Sequence, residues 1–506
     1  MSDRLIFSEV DAYRTPHPSG YFLLPHNFMR LANGRVLLTN DWGDWTLVEP
    51  SVHAALVKKT LDTQSSDYLD LKSKFFLSDT ESLVRDRVLA SRYRTKKAFI
   101  DGFTKLHIFV VSLRCDHSCP YCQVSRVSED KDKFDMTEAI ADRSIDLMMR
   151  SPAPAITCEF QGGEALLNFP LVKYIVARSK ELNVRALKRI DYVVCTNLST
   201  LSDEHLAYFQ ANNVTISTSL DGPAALHDRN RPFTKGSSHA AVVRNIARAQ
   251  EALGKSAISA LMTTTKESLA CPREIVDEYL RVGLGSIFAR SLSPYGFAVK
   301  TAKSIGYTMD DFLRFYRTML AYVLEKNRAG IMFPEAFAST ILRKMLTPFG
   351  TGFVDLQSPA GAGIGVVVYN YDGAVYATDE SRMLAEMDDP SFMIGNVLED
   401  DYEEIFLGER MQTIAAASCN EALAGCSDCA FQPYCGADPV YHYATQGDMF
   451  GNRASSGFCR KHMGVISHLF ELLDSGDRDL QRIFWAWIGD TDLDEKRLPR
   501  APWQFG

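Results

Sequence analysis

Between residues 101 and about 300 the chain alternates short apolar runs, rich in β-branched residues, with longer stretches of helical periodicity. The runs fall at 106–113, 155–160, 190–195, 214–220, 257–263 and 286–291, and they read as strands. Helical patterns occupy most of the gaps, at 137–149 with Thr137 as N-cap, at 170–182 and at 240–252. Six β/α units in series predict a parallel sheet, closed or partly closed, with right-handed crossovers. Ligands of such sheets sit beyond the carboxyl ends of the strands, so the loops after the strands are where chemistry is expected.

Two short strands, 34–40 and 45–48, surround a turn upstream, and a helix is predicted from 50 to 61. The first 100 residues thus read as a small α+β module. Beyond the core, 301–345 reads as a helical linker. Its amphipathic stretch 308–326 carries Phe312, Phe315, Met319 and Tyr322 at core-facing positions. A glycine-rich run at 361–365, a strand at 366–371 and an Asp372-Gly373 turn into 374–376 form a hairpin signal. They lie in a cysteine-bearing region spanning 346–460. The tail, 461–506, is expected to be helical over 462–488 and loose from Ala501. No internal repeat is visible.

With 506 residues, 46% hydrophobic and 23% charged, the composition excludes disorder, a collagen-like repeat or a coiled coil for the whole, and it allows two to four domains. A formal net charge of −8 gives no general attraction to nucleic acid. The basic stretch Arg92-Tyr93-Arg94-Thr95-Lys96-Lys97 reads as a solvated or linker face, with anion binding as the alternative. Charges interrupt the first nine residues, and no run reaches the ~18 apolar residues of a membrane span. A cytoplasmic protein without nucleic-acid or membrane partners is therefore expected, with its thiols reduced.

The 11 cysteines change the picture. Their number is odd and their placing uneven, which argues against a disulfide framework. Directly after the first core strand stands Cys115-Asp-His117-Ser-Cys119-Pro-Tyr121-Cys122. Three thiolates on one short loop can ligate three irons of a [4Fe–4S] cluster and leave the fourth open. Zinc is the alternative, although it usually takes four ligands from two knuckles. His117 as a fourth ligand is geometrically awkward inside a three-residue gap.

This C-x3-C-x2-C motif, after the first strand of a six-unit core and with an aromatic before its last cysteine, resembles the radical S-adenosylmethionine (SAM) superfamily. The resemblance implies a partial (β/α)6 barrel. It also implies a cluster whose open iron chelates SAM and whose electron cleaves it to a 5′-deoxyadenosyl radical. Gln161-Gly162-Gly163-Glu164, after the second strand, is similar to the family's Gly-Gly-Glu-Pro motif with Ala165 replacing Pro, and implies a seat for the SAM amino group. Ser219-Leu-Asp-Gly-Pro223, followed by His227 and Asn230-Arg231, resembles the Ser-Leu-Asp-Gly-Pro…His…Asn-Arg stretch of relatives acting on peptides. By that resemblance Ser219 and Arg231 hold the carboxylate and ribose side of SAM, while Tyr121 and the Leu292 region flank its adenine. Read alone, Asp221-Gly222-Pro223 is a turn and Arg231 a surface charge.

Cys426, Cys429, Cys435 and Cys459 resemble the SPASM extension of peptide-modifying radical SAM enzymes. Where that pattern has further cysteines, this chain has Ala360 or a neighbour, Thr378 and Pro439. The absent ligands all belong to the first auxiliary cluster, so the resemblance implies one SAM cluster and one auxiliary [4Fe–4S] cluster. From spacing alone, a four-thiolate zinc site is the alternative. Cys158, Cys195, Cys271 and Cys419 have no patterned partners and read as packed thiols. Asp379 follows Thr378 as the base of sulfatase-maturing relatives follows its cysteine; the other reading is an exposed hairpin Asp.

Residues 92–102, 115–126 and 435–448 resemble the His-Xaa-Ser system radical SAM maturases. The match covers about 20–470, and a winged-helix-like N-terminal module would suit peptide recognition. The implied function is radical crosslinking of a ribosomally made precursor peptide, with a flavodoxin- or ferredoxin-type electron donor. Oxidation of a Ser or Cys side chain, or an electron-transfer or zinc protein that does not use SAM, are the alternatives.

Overall fold

The structure, a computed structural model, describes residues 20–123 and 130–489. The expected loose end from Ala501 and the 124–126 end of the resembling cysteine stretch lie outside them. Strands β1 (Phe22–Leu23), β2 (Asn27–Arg30), β3 (Val36–Thr39), β4 (Trp45–Val48) and β5 (Leu77–Ser78) belong to the N-terminal module. β2, β3 and β4 form an antiparallel sheet, and β1 pairs with β5. Helices Pro50–Val57 and Ser66–Ser73 close a small core around Leu38, Leu56, Leu71 and Phe76. The first of these helices stops short of 61 because the backbone turns left-handed at Lys59, φ +56°.

The predicted core follows. β6 (Leu106–Ser112), β7 (Ala155–Gly162), β8 (Arg189–Cys195), β9 (Val214–Ser219), β10 (Ile258–Thr263) and β11 (Ala289–Arg290) lie parallel and side by side in chain order. Thr137 caps the helix Glu138–Arg150, accepting from the Ile140 N–H at 3.3 Å. Only two residues of the sixth predicted strand pair with β10, since Ile287 bridges to Glu335 instead.

The sheet does not end at β6. After the helices Met309–Arg328 and Ala336–Leu346 the chain returns as β12 (Val366–Tyr369), parallel to β6 with Val366 opposite Leu106. β13 (Ala374–Tyr376) and β14 (Met393–Asn396) add antiparallel, giving nine strands. The single tail helix expected over 462–488 is two, Gly457–Asp474 and Arg478–Gly489, broken where Gly476 takes φ +70°. Among the described residues no helix is long and apolar enough to cross a membrane.

The basic stretch at 92–97 is not a solvated face. It ends the helix Leu83–Lys97, where Arg92 pairs with Asp44 and Lys97 with Glu421, and Lys96 lies over the Tyr434 ring. Together with Trp45 Nε1 donating to the Met345 carbonyl at 2.8 Å, these contacts clamp the N-terminal module onto the rest of the chain.

Candidate active site and the two cysteine groups

The carboxyl ends of β6 to β11 surround a cavity of about 230 Å³. Cys115, Cys119 and Cys122 border it, as do Tyr121, Gln161, Gly162, Gly163, Ser219 and Arg231. The structure thus brings these expected residues to one space. Burial pushes the Cys115 thiol well up and the Cys119 thiol up to about 12. A bound metal would reverse that, because a coordinating thiol is deprotonated outright.

Among the described residues, the aspartate and imidazole beside the triplet are not free to serve as a fourth ligand. His117, Asp116 and Cys115 have polar atoms within 4.8 Å of one another, yet the first two are engaged elsewhere. Asp116 accepts from Asn197 Nδ2 at 2.8 Å and from the Ser199 hydroxyl, and its Oδ1 lies 2.7 Å from His117 Nδ1. The Asp221 N–H donates to His227 Nδ1 (3.2 Å), so His227 Nε2–H donates to the Ser238 hydroxyl (3.1 Å). Ser238 in turn donates to His117 Nε2 (2.8 Å), leaving Nδ1–H for Asp116. This ordering satisfies both imidazoles in the neutral form and ties the cysteine loop to the loop after β9.

Arg231 is no surface charge, and Asp221 is more than a turn residue. Asp221 is fully buried, accepts from the Tyr121 hydroxyl at 2.6 Å and pairs with Arg231 Nε at 3.1 Å. The guanidinium lies 5.3 Å from the centre of the Tyr121 ring. Tyr121 is therefore fixed at both its ring and its hydroxyl.

The Gly-Gly motif works differently from the expectation. A Cβ on Gly162 would overlap the Ser112 carbonyl, and one on Gly163 would overlap the Arg114 and Leu113 carbonyls. The glycines admit the backbone of the cysteine loop, to which Gly163 N and Glu164 N donate at 2.8 Å each. The Glu164 carboxylate is buried beneath the cavity rather than presented to it. It accepts from Thr196 Oγ1 (2.6 Å), Asn197 N (2.8 Å) and Leu166 N (3.0 Å). Burial pushes it up to about 7 against those hydrogen bonds. Gln161, which borders the cavity, donates its amide to Glu159 at 2.6 Å.

A second, larger cavity of about 390 Å³ shares Gln161, Ser217, Arg290 and Asp379 with the first. Leu292 borders this second space, while its neighbours Ser291 and Ser293 border both. Asp379 stands at the junction as the first residue of the helix Asp379–Ala385, so it is not an exposed hairpin residue. Its Oδ1 accepts from Arg382, a fully buried guanidinium, at 2.9 and 3.0 Å. Thr378 is the N-cap of that helix and Pro439 opens the helix Pro439–Gln446. Cys195, expected to be a packed thiol, borders both cavities. Its place as the last residue of β8 was the signal that could have found it.

The second cysteine group borders neither large cavity. Cys426, Cys429, Cys435 and Cys459 come from one loop and the first turn of Gly457–Asp474, close enough that Cys429, Cys435 and Cys459 each feel the charge of other members. Burial raises Cys435 to about 12 and Cys459 to about 11. Arg453 Nε donates to Cys426 Sγ at 3.1 Å and Phe431 N to Cys429 Sγ at 3.4 Å, both favourable to thiolates. No three of the four sulfurs lie within 4.8 Å of one another. A tetrahedral zinc with Zn–S of ~2.3 Å needs sulfurs about 3.8 Å apart.

Residues 109–278 match the Radical SAM superfamily, so the chain carries a radical SAM domain. The serine-type anaerobic sulfatase-maturating enzyme of Bacteroides thetaiotaomicron is 29% identical over 128 residues, which is 25% of this chain and 30% of that enzyme. The match thus spans about a third of that relative's length. Among solved structures, anSMEcpe with bound AdoMet and Cp18Cys peptide aligns with TM-score 0.60 at 15% identity, over 73% of this chain and 98% of that one. Streptococcus suis SuiB bound to precursor peptide SuiA aligns with TM-score 0.52 at 12% identity, over 87% and 99%. At these identities the structural likeness shows the fold.

Proposed function

We propose that the chain is a SAM-cleaving radical enzyme that crosslinks a ribosomally made precursor peptide. The observation that carries this is the joining of two spaces, one bordered by the three thiols of the radical SAM motif and one large enough for a peptide side chain. Cys115, Cys119 and Cys122 would hold a [4Fe–4S] cluster, which when bound with SAM supplies a 5′-deoxyadenosyl radical. The backbone at Gly162 and Gly163 with Gln161 would seat the SAM amino group. Ser219 and Arg231 would seat its carboxylate and ribose side, and Tyr121 and the 291–293 turn its adenine. Asp379, at the junction, is placed to take a proton from the peptide. Cys426, Cys429, Cys435 and Cys459 would hold one auxiliary [4Fe–4S] cluster, a role supported by a sulfur spread too wide for zinc. The N-terminal module, read as winged-helix-like, would present the peptide, and a flavodoxin- or ferredoxin-type protein would supply the electron. The stretches resembling His-Xaa-Ser system maturases support that narrower class.

The test is anaerobic incubation with SAM and dithionite, which should yield 5′-deoxyadenosine; no product would place the chain among electron-transfer or zinc proteins. Iron analysis should give about eight irons, four for each complete cluster. About twelve, enough for a third cluster, would refute the ligand assignment. Side-chain oxidation, as the named sulfatase-maturating relative suggests, is the second reading, favoured by the position of Asp379. Both reactions remove two hydrogens, but only a crosslink blocks fragmentation between its two residues in mass spectrometry.

A further inference from the structure

The larger cavity carries more negative than positive charge in a buried setting. Asp355, Glu380 and Asp438 border it, as do the cations Arg290 and Lys461. Glu380 pairs with Arg290 at 3.2 Å, and Asp379 is taken by Arg382. Asp355 and Lys461 have no ion-pair partner among the described residues, and the Asp438 carboxylate accepts only from the Tyr441 N–H at 2.8 Å. Setting the two ion pairs aside, three carboxylates, Asp355, Asp438 and Glu159, which also borders the cavity, face one ammonium. Burial first, and then the Asp355 and Glu380 carboxylates, push Asp438 up to about 8. A second observation points into the same space: Tyr295 also borders the cavity, is 1% exposed, and its hydroxyl has no hydrogen-bond partner. Buried polar groups in native proteins are nearly always satisfied, so an orphan hydroxyl beside excess carboxylate lacks a donor-bearing cation.

These carboxylates flank the positions where auxiliary cysteines are absent. Asp438 directly precedes Pro439, and Glu380 follows Thr378 by two residues. The carboxylate oxygens of Asp355, Glu380 and Asp438 do not gather within 4.8 Å, so they form no compact seat for a single metal ion.

We infer that the larger cavity is a subsite for a cationic side chain, lysine or arginine, of the peptide substrate, held by Asp355, Glu380 and Asp438 with the Tyr295 hydroxyl as a further acceptor. The inference rests on the proposed peptide substrate. It places the bound cation so that neighbouring carbons face the junction at Gln161 and Asp379, and it gives a reason for the loss of cluster ligands here: the space serves substrate charge.

The probes are synthetic peptides Ac-Ala-Ala-Xaa-Ala-Ala-amide, with Xaa Arg, Lys, Leu or Glu, titrated by isothermal calorimetry into the anaerobically reconstituted full chain with SAM. The Arg and Lys peptides should bind at least about tenfold tighter than the Leu and Glu peptides, the scale of one well-placed charged hydrogen bond. Glu380→Gln with Asp438→Asn should remove that preference without changing affinity for the Leu peptide. Equal affinity across the four peptides in the unmodified chain overturns the inference, and needs no variant to fold. A preference that survives in the double variant, with its far-ultraviolet spectrum unchanged, also overturns it. Formation of 5′-deoxyadenosine is scored separately. Its absence alongside a cationic preference sinks the radical reading and leaves the subsite, whereas its presence without the preference does the reverse.

Discussion

The two cysteine groups are built from the same residue type and face opposite conditions. Cys115, Cys119 and Cys122 line one wall of an open cavity at the strand ends, with a hydrogen-bonded imidazole and carboxylate beside them that are already committed. Cys426, Cys429, Cys435 and Cys459 are packed where the N-terminal module meets the tail helix and border neither large cavity; Asn27 of the module donates to the Ser427 carbonyl at 3.0 Å, within that loop. Three thiols with a free side fit chemistry on a small molecule. Four half-buried thiols brought together from two segments fit a centre with four protein ligands that also holds two parts of the chain together.

Cys115→Ala should break the comparison most sharply. With one of three ligands gone, 5′-deoxyadenosine formation should drop by at least about 10²-fold, which corresponds to about 2.7 kcal/mol in barrier. Iron should fall from about eight to about four per chain. If the variant keeps both its iron and its product, the open site is elsewhere.

Gly163→Ala tests whether the cysteine loop is shaped by its neighbours. The added methyl would meet the Arg114 and Leu113 carbonyls, so the loop must move. SAM cleavage should fall at least about tenfold, equal to about 1.4 kcal/mol, with the quartet's iron retained. An unchanged rate would show that the close approach is unimportant.

Cys459→Ala probes the other member. Iron should fall to about four, this time from the quartet. The contacts Asn27 makes to Ser427 and Cys429 should loosen, exposing the β2–β3 turn to limited proteolysis. The same cleavage pattern in Cys115→Ala would erase the distinction between the two groups.

Much of the first group was legible in the sequence. Its ligands are close in the chain and follow a continuous apolar strand, and five of the six predicted core strands appear with their ends within two residues. The exception, β11, pairs through only two residues because Ile287 is drawn to Glu335, 48 positions away. Distance in sequence hid the rest of the site. The His117–Ser238–His227 chain joins residues more than a hundred apart, so no local pattern announces it. Glu164 looked like a ligand because a carboxylate beside two glycines suits an ammonium, yet the loop at Thr196–Asn197 supplies donors that claim it first. Arg92 to Lys97 read as solvated since their partners Asp44, Glu421 and Tyr434 come from three separate segments.

The smallest expected effect concerns the hydrogen-bond chain that supports the first group through His227. His227 is buried and, with its Nδ1 accepting the Asp221 N–H, is held neutral; burial lowers it to about 3. Its folded value lies below the ordinary unfolded value of about 6.5, so the unfolded chain takes up the proton first on acidification. The stability it contributes is complete above pH 6.5 and is lost as pH falls toward 3, at up to about 1.4 kcal/mol per pH unit. His107, lowered to about 3 by burial, adds to the same window in every variant. His227→Gln keeps an acceptor and a donor without a titrating proton, so its urea-unfolding curve should lose less stability than the unmodified chain between pH 6.5 and 4.5. The difference should be about 2–3 kcal/mol over those two units. Parallel pH profiles for the two proteins would mean that His227 takes up its proton as readily in the folded chain as in the unfolded one, and that its Nδ1 is not held as the acceptor of the Asp221 N–H.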